Sequence, residues 1–432
     1  MNVCLKTLGC RLNEAELERW AAGFKRSGHT IINEPDAADL VVINTCAVTR
    51  EAEKKSRQLI RRSHRNNPAA KLVISGCYAS LEPAAVNKFA GVDLLVPNKD
   101  KDNLVEIVQR DLAPEAMPVL GTEPAESSLF ARGRNRAFIK VQDGCRYRCT
   151  FCIVTVARGE ERSRSAAEIV EAVNRVHAQG IQEVILTGVH LGGYGADTGG
   201  SLVQLIKTLL AETGIPRLRL GSVEPWDLGE DFLALFDSPR MMPHLHLPLQ
   251  SGSDAVLRRM ARRCKTADFE KLVCRARDRI PAISISTDII VGFPGETGEE
   301  WQNGLAFIER LGFSHIHIFP YSKRADTRAA SLPGQVDAAV KKQRVQELHR
   351  LTQIMRREFM DRFTGKTLPV LFEHKEDQEG TDRERHYGYT PNYLRVSVLT
   401  ENTGVPSLPN RILPVTLTGV DEAGDSLNGM LA

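Results

Sequence analysis

In its first hundred residues the chain alternates short β-branched runs with longer amphipathic ones: VCLKTLG, NEAELERWAAGFKRSG, DLVVINT, VTREAEKKSRQLIRRSH and KLVISG. This βαβαβ rhythm is the strongest constraint on the fold. It predicts a parallel sheet covered by helices, with functional groups gathering beyond the carboxyl ends of the strands. Cys10, Cys46 and Cys77 each sit at such an end. Three separate strands therefore deliver one thiol each to one sheet edge, as a metal site needs; three buried structural cysteines are the alternative.

A second alternation begins near residue 137 with the strand candidates AFIKVQ, EVILTG, RLRLGS, HLHLPL, ISISTDIIV and HIHIFPY, each separated by a helix-length segment. Six βα units are too few for an eight-unit barrel, so a partial (βα)6 barrel is expected, again with its functional loops at the carboxyl ends of the strands. A long helical pattern runs from Asp337 to Phe363, with Gly365 as a stop. Beyond it TLPVLFEH, YLRVSVLT and RILPVTLTGV alternate between Gly, Pro and Asn breaks, the pattern of a small antiparallel β-barrel. The expected α/β architecture is thus an amino-terminal open α/β domain over 1-113, a Pro- and Ala-rich linker over 114-130, the partial barrel over 131-363 and the small barrel over 364-432.

The segment DGCRYRCTFCIV, directly after the first strand of the second alternation, carries C-x3-C-x2-C through Cys145, Cys149 and Cys152. A tetrahedral zinc site takes four ligands. Three close thiolates with no fourth Cys or His nearby leave a corner open, which on a [4Fe-4S] cluster is an iron free to bind something else. Cys4, Cys264 and Cys274 lack ligand spacing and read as ordinary cysteines, and His190, His244, His246, His315 and His317 read as core or surface groups.

Net charge is only +3, but the basic residues are clustered. Arg50 to Arg65 holds seven Lys or Arg against two acids, Arg132 to Arg164 nine against three, and Lys341 to Lys366 eight against three. Together they suit a polyanionic partner, whereas any single run is explained about as well by a solvated helix face. No apolar run approaches the roughly 20 residues that span a bilayer, and MNVCLKTLGC lacks secretory order, so a cytoplasmic protein with no membrane contact is expected. Nine cysteines in such a compartment point to metal rather than disulfides.

The C-x3-C-x2-C segment resembles that of the radical S-adenosylmethionine (SAM) superfamily. That resemblance implies that the open iron binds S-adenosyl-L-methionine, that Phe151 packs near its adenine, and that Gly188, Glu224, Gln250 and Gly292 lie around it. The whole pattern, LKTLGC, VVINTC and VISGC followed by DGC, resembles the methylthiotransferase family across nearly the full chain. Membership implies two [4Fe-4S] clusters, one on Cys145, Cys149 and Cys152 and one on Cys10, Cys46 and Cys77, and a terminal TRAM domain. LTGVHLGGYG, RLGSVEP, HLHLPLQSGS, IHIFPYSKRADTRAA and GYTPNYLRV are similar to the branch that converts N6-threonylcarbamoyladenosine at tRNA position 37 to its 2-methylthio derivative. The implied partners are a tRNA anticodon stem-loop and an electron donor such as a flavodoxin, with the protein acting as a monomer. Isopentenyladenosine tRNA or a ribosomal-protein aspartate are the rival substrates within the family. A non-enzymatic, metal-stabilised RNA-binding protein is the rival outside it.

Overall fold

A computed structural model describes residues 1–112, 135–377, 383–401 and 408–432. The linker expected over 114-130 lies outside these residues. The amino-terminal unit runs β1 (Asn2–Thr7), α1 (Arg11–Arg26), β2 (Thr30–Ile32), β3 (Leu40–Thr45), α2 (Arg50–Asn66), β4 (Lys71–Gly76), α3 (Cys77–Leu81), α4 (Pro83–Val86), β5 (Val92–Val96) and α5 (Leu104–Leu112). Its strands form one parallel sheet in the order β2-β1-β3-β4-β5. The centre is the most apolar: every residue of β3, LVVINT, is buried, as a strand covered on both faces requires. On one face α1 contributes Leu17, Trp20 and Phe24, spaced three and four apart to make a single stripe. β1, β3 and β4 are the three runs expected from sequence. β2 and β5 are additional, and both are short edge strands in which Val96 alone is buried, which erases the apolar signature of an interior strand.

The central unit follows as β6 (Arg136–Lys140), β7 (Gln142–Asp143), α6 (Val154–Arg158), β8 (Arg162–Ser163), α7 (Ala166–Ala178), β9 (Glu183–Thr187), α8 (Leu202–Glu212), β10 (Arg217–Leu220), α9 (Glu230–Leu233), β11 (His244–His246), α10 (Asp254–Arg259), α11 (Thr266–Arg279), β12 (Ser284–Val291), α12 (Gly298–Leu311), β13 (His315–Pro320) and α13 (Ala338–Asp361). All six expected strands are present. They form two parallel three-stranded sheets, β10-β9-β6 and β11-β12-β13, joined at the β10 and β11 edges by the parallel bridges Leu218–Met241 and Ser222–His246. The result is a curved six-strand wall rather than a closed ring. Helix starts are set locally: Ser165 with Glu168, and Thr297 with Glu300, form reciprocal capping boxes on α7 and α12. Asp337 caps α13 by accepting from the Ala339 amide at 2.7 Å.

The last unit is a closed barrel of β14 (Thr367–Asp377), β15 (Arg383–Tyr389), β16 (Arg395–Glu401), β17 (Ile412–Val420) and β18 (Leu427–Leu431), in the order β14-β15-β16-β18-β17. The expectation of an antiparallel barrel needs one correction: the β16–β18 seam is parallel. β18 runs antiparallel to β17 and so reaches β16 in that strand's own direction. Phe359, Met360 and Phe363, at and just beyond the end of α13, enter the apolar core of this barrel beside Phe372, Val396 and Leu417. Burial of the three side chains contributes on the order of 5 kcal/mol to docking the barrel on the central unit.

Candidate active site

The carboxyl ends of β1, β3 and β4 lead straight to Cys10, Cys46 and Cys77. Cys10 occupies the cap position of α1 with an extended backbone and caps none of its amides; its thiol lies 3.9 Å from the Asn13 side-chain oxygen, to which it donates. Cys46 and Cys77 are buried, whereas Cys10 faces an open cavity and is otherwise surrounded by protein. Gly9 precedes Cys10 at φ 106°, and a Cβ there would come within 2.8 Å of the Cys46 sulfur. The two loops approach so closely that only glycine fits. Burial pushes the Cys46 thiol up to about 11, with Cys77 and Cys10 adding to the effect. Arg158 opposes the burial that raises Cys10.

Cys145, Cys149 and Cys152 follow β7 in the loop before α6. Gly144 opens that loop at φ 72°, where a Cβ would lie 1.9 Å from the Glu160 carbonyl oxygen. Burial pushes Cys145 up to about 12, and the neighbouring Cys152 and Cys149 raise it further. Arg262 reaches toward Cys149 with Nη1 at 4.0 Å from the sulfur and donates through Nη2 to Glu224 at 2.8 Å. His190 and Glu161 also approach Cys145, but both ring nitrogens of His190 are engaged, Nδ1 by Glu161 and Nε2 by Asp227, each at 2.6 Å. Burial works against charge on this imidazole, yet those two carboxylates raise its pKa overall. It is an internal ion pair, as the core reading of His190 expects. Each cysteine triad therefore offers three sulfurs with a corner left open, a donor set that fits a four-iron cluster holding an exchangeable ligand.

A cavity of about 790 Å³ joins the units. Its wall includes Cys10, Cys46 and Cys77 from the first sheet, Gly188, Glu224 and Gln250 from strand-end loops of the central wall, and Tyr389 and Tyr393 from the small barrel. Gln250 has φ 75°; its strained backbone is fixed by its amide donating to Asp288 at 2.8 Å and its carbonyl accepting from Ile290 at 2.9 Å. Of the residues expected around the cofactor, Phe151 and Gly292 do not form part of this wall among the described residues. Phe151 packs on the cluster containing Val256, Phe293 and Tyr321. Gly292 turns the chain after β12, its amide donating to Glu296 at 2.8 Å.

Several residues of the site carried no individual signal in the sequence. Arg158 is buried and pairs with Glu16 and Asp143, both at 2.9 Å. Arg136 pairs with Glu373 of the barrel, and Lys140 with Asp102 at 2.9 Å. Three of the basic residues between Arg132 and Arg164, Arg136, Lys140 and Arg158, are thus turned inward to join the units, while Arg146, Arg148 and Arg162 stay exposed. Tyr393, at φ 68°, stacks on Tyr389 with ring centres 5.0 Å apart and accepts from Arg136 at 2.8 Å and Arg11 at 3.4 Å.

Comparison with known proteins agrees with this architecture. Residues 2–97 match the uncharacterized protein family UPF0004, and residues 139–308 match the radical SAM superfamily. The structure of the radical S-adenosylmethionine methyltransferase TsrM from Kitasatospora setae superposes with a TM-score of 0.57 at 17% identity, covering 76% of this chain and 75% of that one. Wall, cysteine loop and domain match define the chain as a radical SAM enzyme. It is 36% identical to the threonylcarbamoyladenosine tRNA methylthiotransferase MtaB of Bacillus subtilis strain 168, over 91% of this chain and 89% of that protein. A tRNA-2-methylthio-N(6)-dimethylallyladenosine synthase from Jannaschia sp. strain CCS1 is 35% identical, over 85% of this chain and 83% of that protein. The chain belongs to the radical SAM methylthiotransferase family that includes MtaB.

Proposed function

We propose that the protein converts N6-threonylcarbamoyladenosine at position 37 of tRNA to the 2-methylthio derivative. The carrying observation is that Cys10, Cys46 and Cys77 share one cavity with Glu224, which Arg262 ties to Cys149. In this reading Cys145, Cys149 and Cys152 hold the radical-generating cluster and Cys10, Cys46 and Cys77 the second [4Fe-4S] cluster. Gly188, Glu224 and Gln250 surround S-adenosylmethionine, whereas Phe151 and Gly292 lie outside the wall that these three share. When bound, these groups supply the one-electron chemistry and the sulfur that replacement of an unactivated aromatic hydrogen demands, and that no side-chain base could provide.

The protein's own part is placement. Arg158, buried between Glu16 and Asp143, locks the first sheet to the central wall and so holds the two triads at one separation. The stacked rings of Tyr389 and Tyr393 give an unstacked base an aromatic platform. Burial keeps His244 neutral, with Arg219 acting in the same direction, and leaves its part of the cavity without a competing charge. No helix among the described residues is long and apolar enough to cross a membrane. The reading has a cytoplasmic monomer accepting electrons from a flavodoxin-type donor.

The test is anaerobic reconstitution followed by assay. The protein should carry about eight irons, lose about half of them in Cys149→Ala, release 5′-deoxyadenosine under reduction, and methylthiolate an anticodon stem-loop bearing the threonylcarbamoyl group. Nucleoside mass spectrometry of a deletion strain should show the methylthio-threonylcarbamoyl nucleoside missing. If it is undiminished and a methylthio-isopentenyl nucleoside or a methylthiolated ribosomal aspartate is lost instead, the substrate reading is wrong.

A further inference from the structure

We propose that Arg11 is the receptor for a carboxylate on the substrate base, and that this contact selects a threonylcarbamoyl substituent over an uncharged one; the assignment rests on the function proposed above. Four guanidinium groups line the cavity: Arg11, Arg158, Arg356 and Arg395. Arg158 is neutralised by Glu16 and Asp143, and Arg356 by Asp425 at 2.8 Å. Arg395 lacks an acidic partner among the described residues, but its guanidinium is covered by the face of Tyr387, 4.2 Å from the ring centre, and it does not adjoin Cys10. Arg11 has no acidic partner among the described residues.

Arg11 is nevertheless held in place. Its Nη2 donates to the Tyr393 hydroxyl at 3.4 Å, and the guanidinium lies 5.7 Å from the Tyr393 ring centre and 6.0 Å from that of Phe138. The hydroxyl also accepts from Arg136 at 2.8 Å, so it orients Arg11 without cancelling its charge. The acids of the cavity wall are committed elsewhere: Glu224 to Arg262 at 2.8 Å and Asp288 to His246 at 3.1 Å. A fixed, partly enclosed cation without a counter-ion is costly until an anion arrives, and a planar guanidinium binds a carboxylate through two parallel bonds.

Position identifies the anion. Arg11 directly follows Cys10, so a carboxylate bound there brings the base that bears it to the mouth of the Cys10, Cys46 and Cys77 site. The threonylcarbamoyl group carries a carboxylate at the end of its N6 arm; an isopentenyl chain carries none. The same guanidinium could instead hold a backbone phosphate, which every tRNA supplies.

Three stem-loop RNAs of one sequence separate these sources: one with threonylcarbamoyladenosine, one with its neutral methyl ester and one unmodified. Binding by fluorescence anisotropy and methylthiolation by mass spectrometry are measured with reconstituted full-length wild type, Arg11→Gln and Arg11→Lys. Wild type should prefer the carboxylate RNA to the ester by roughly tenfold or more. Arg11→Gln should erase that preference with ester binding unchanged, and Arg11→Lys should keep part of it. Equal iron content in the three proteins distinguishes loss of the anion contact from damage beside Cys10. An equal loss of affinity for all three RNAs makes Arg11 a phosphate contact and overturns the proposal, as does an undiminished preference in Arg11→Gln. A wild-type preference that depends on Arg11 but is accompanied by no methylthiolation retains the receptor and overturns the parent function.

Discussion

Arg158 and Glu16, 142 positions apart in the chain, meet at 2.9 Å with both side chains only 2% exposed. Lys101 closes on the same carboxylate at 2.6 Å. Although burial opposes its charge, Arg158, Lys101 and Lys140 hold Glu16 well below the usual carboxylate range. Glu16→Gln leaves the buried cations short of a counter-ion and should destabilise the protein by about 3 kcal/mol. The fall in denaturation midpoint checks this; a change within about 0.5 kcal/mol, the range of ordinary surface substitutions, would contradict it.

Gly144→Ala places a methyl group where the Glu160 carbonyl oxygen stands, so the cysteine loop must shift. The variant should lose about four of about eight irons together with 5′-deoxyadenosine formation. Gly9→Ala collides instead with Cys46 and should lose the other half while still releasing 5′-deoxyadenosine. Iron analysis paired with that assay separates the two sites, and identical phenotypes would refute their independence.

Arg262 touches Cys149 and Glu224 and also lies over the Trp226 ring, 4.5 Å from its centre. Arg262→Met should keep both clusters but slow cleavage of S-adenosylmethionine roughly 10- to 100-fold, the usual cost of removing a partner of a metal ligand. The electron paramagnetic resonance signal of the reduced protein should shift. Unchanged spectra and rates would show that the contact is incidental.

His315 should make stability depend on pH. Burial, aided by His317 and Arg356, lowers its pKa to about 4 from an unperturbed 6.5. The unfolded chain therefore binds a proton that the folded chain refuses as pH falls through 6.5, and stability drops between there and 4. His315→Gln removes this contribution, so its melting temperature should fall less between pH 7 and pH 5 than that of the wild type. Parallel curves would count against a depressed His315.

Much of this architecture is legible in the sequence. The β-branched runs ending at Cys10, Cys46 and Cys77 delimit β1, β3 and β4 because interior parallel strands must be apolar on both faces. In the central wall β9 is marked by an apolar run, and β10, β11 and β13 by strict alternation of Leu or Ile with Arg or His. β15 is not marked, because RERHYGY carries charge on its outward face and its buried residues are His386 and Gly388. Cys145, Cys149 and Cys152 are legible by their spacing, and Cys10, Cys46 and Cys77 by their place at three strand ends. Arg11, Arg158, Arg262 and Tyr393 are not, since what distinguishes each is a partner far away in the chain. Arg158 looked like one more member of a basic run, and only the arrival of Glu16 makes it a joint.

The Lys101–Glu16 pair lies wholly within the first unit, and so do Cys10, Cys46 and Cys77. During synthesis this unit can close with its buried acid already neutralised, before Arg158 has left the ribosome. The three strand ends that carry the thiols are thereby brought together early. The cavity closes later, because Gly188, Glu224 and Gln250 come from the central unit and Tyr389 and Tyr393 from the terminal barrel. Order of synthesis thus gathers the three thiols before the rest of the cavity wall exists.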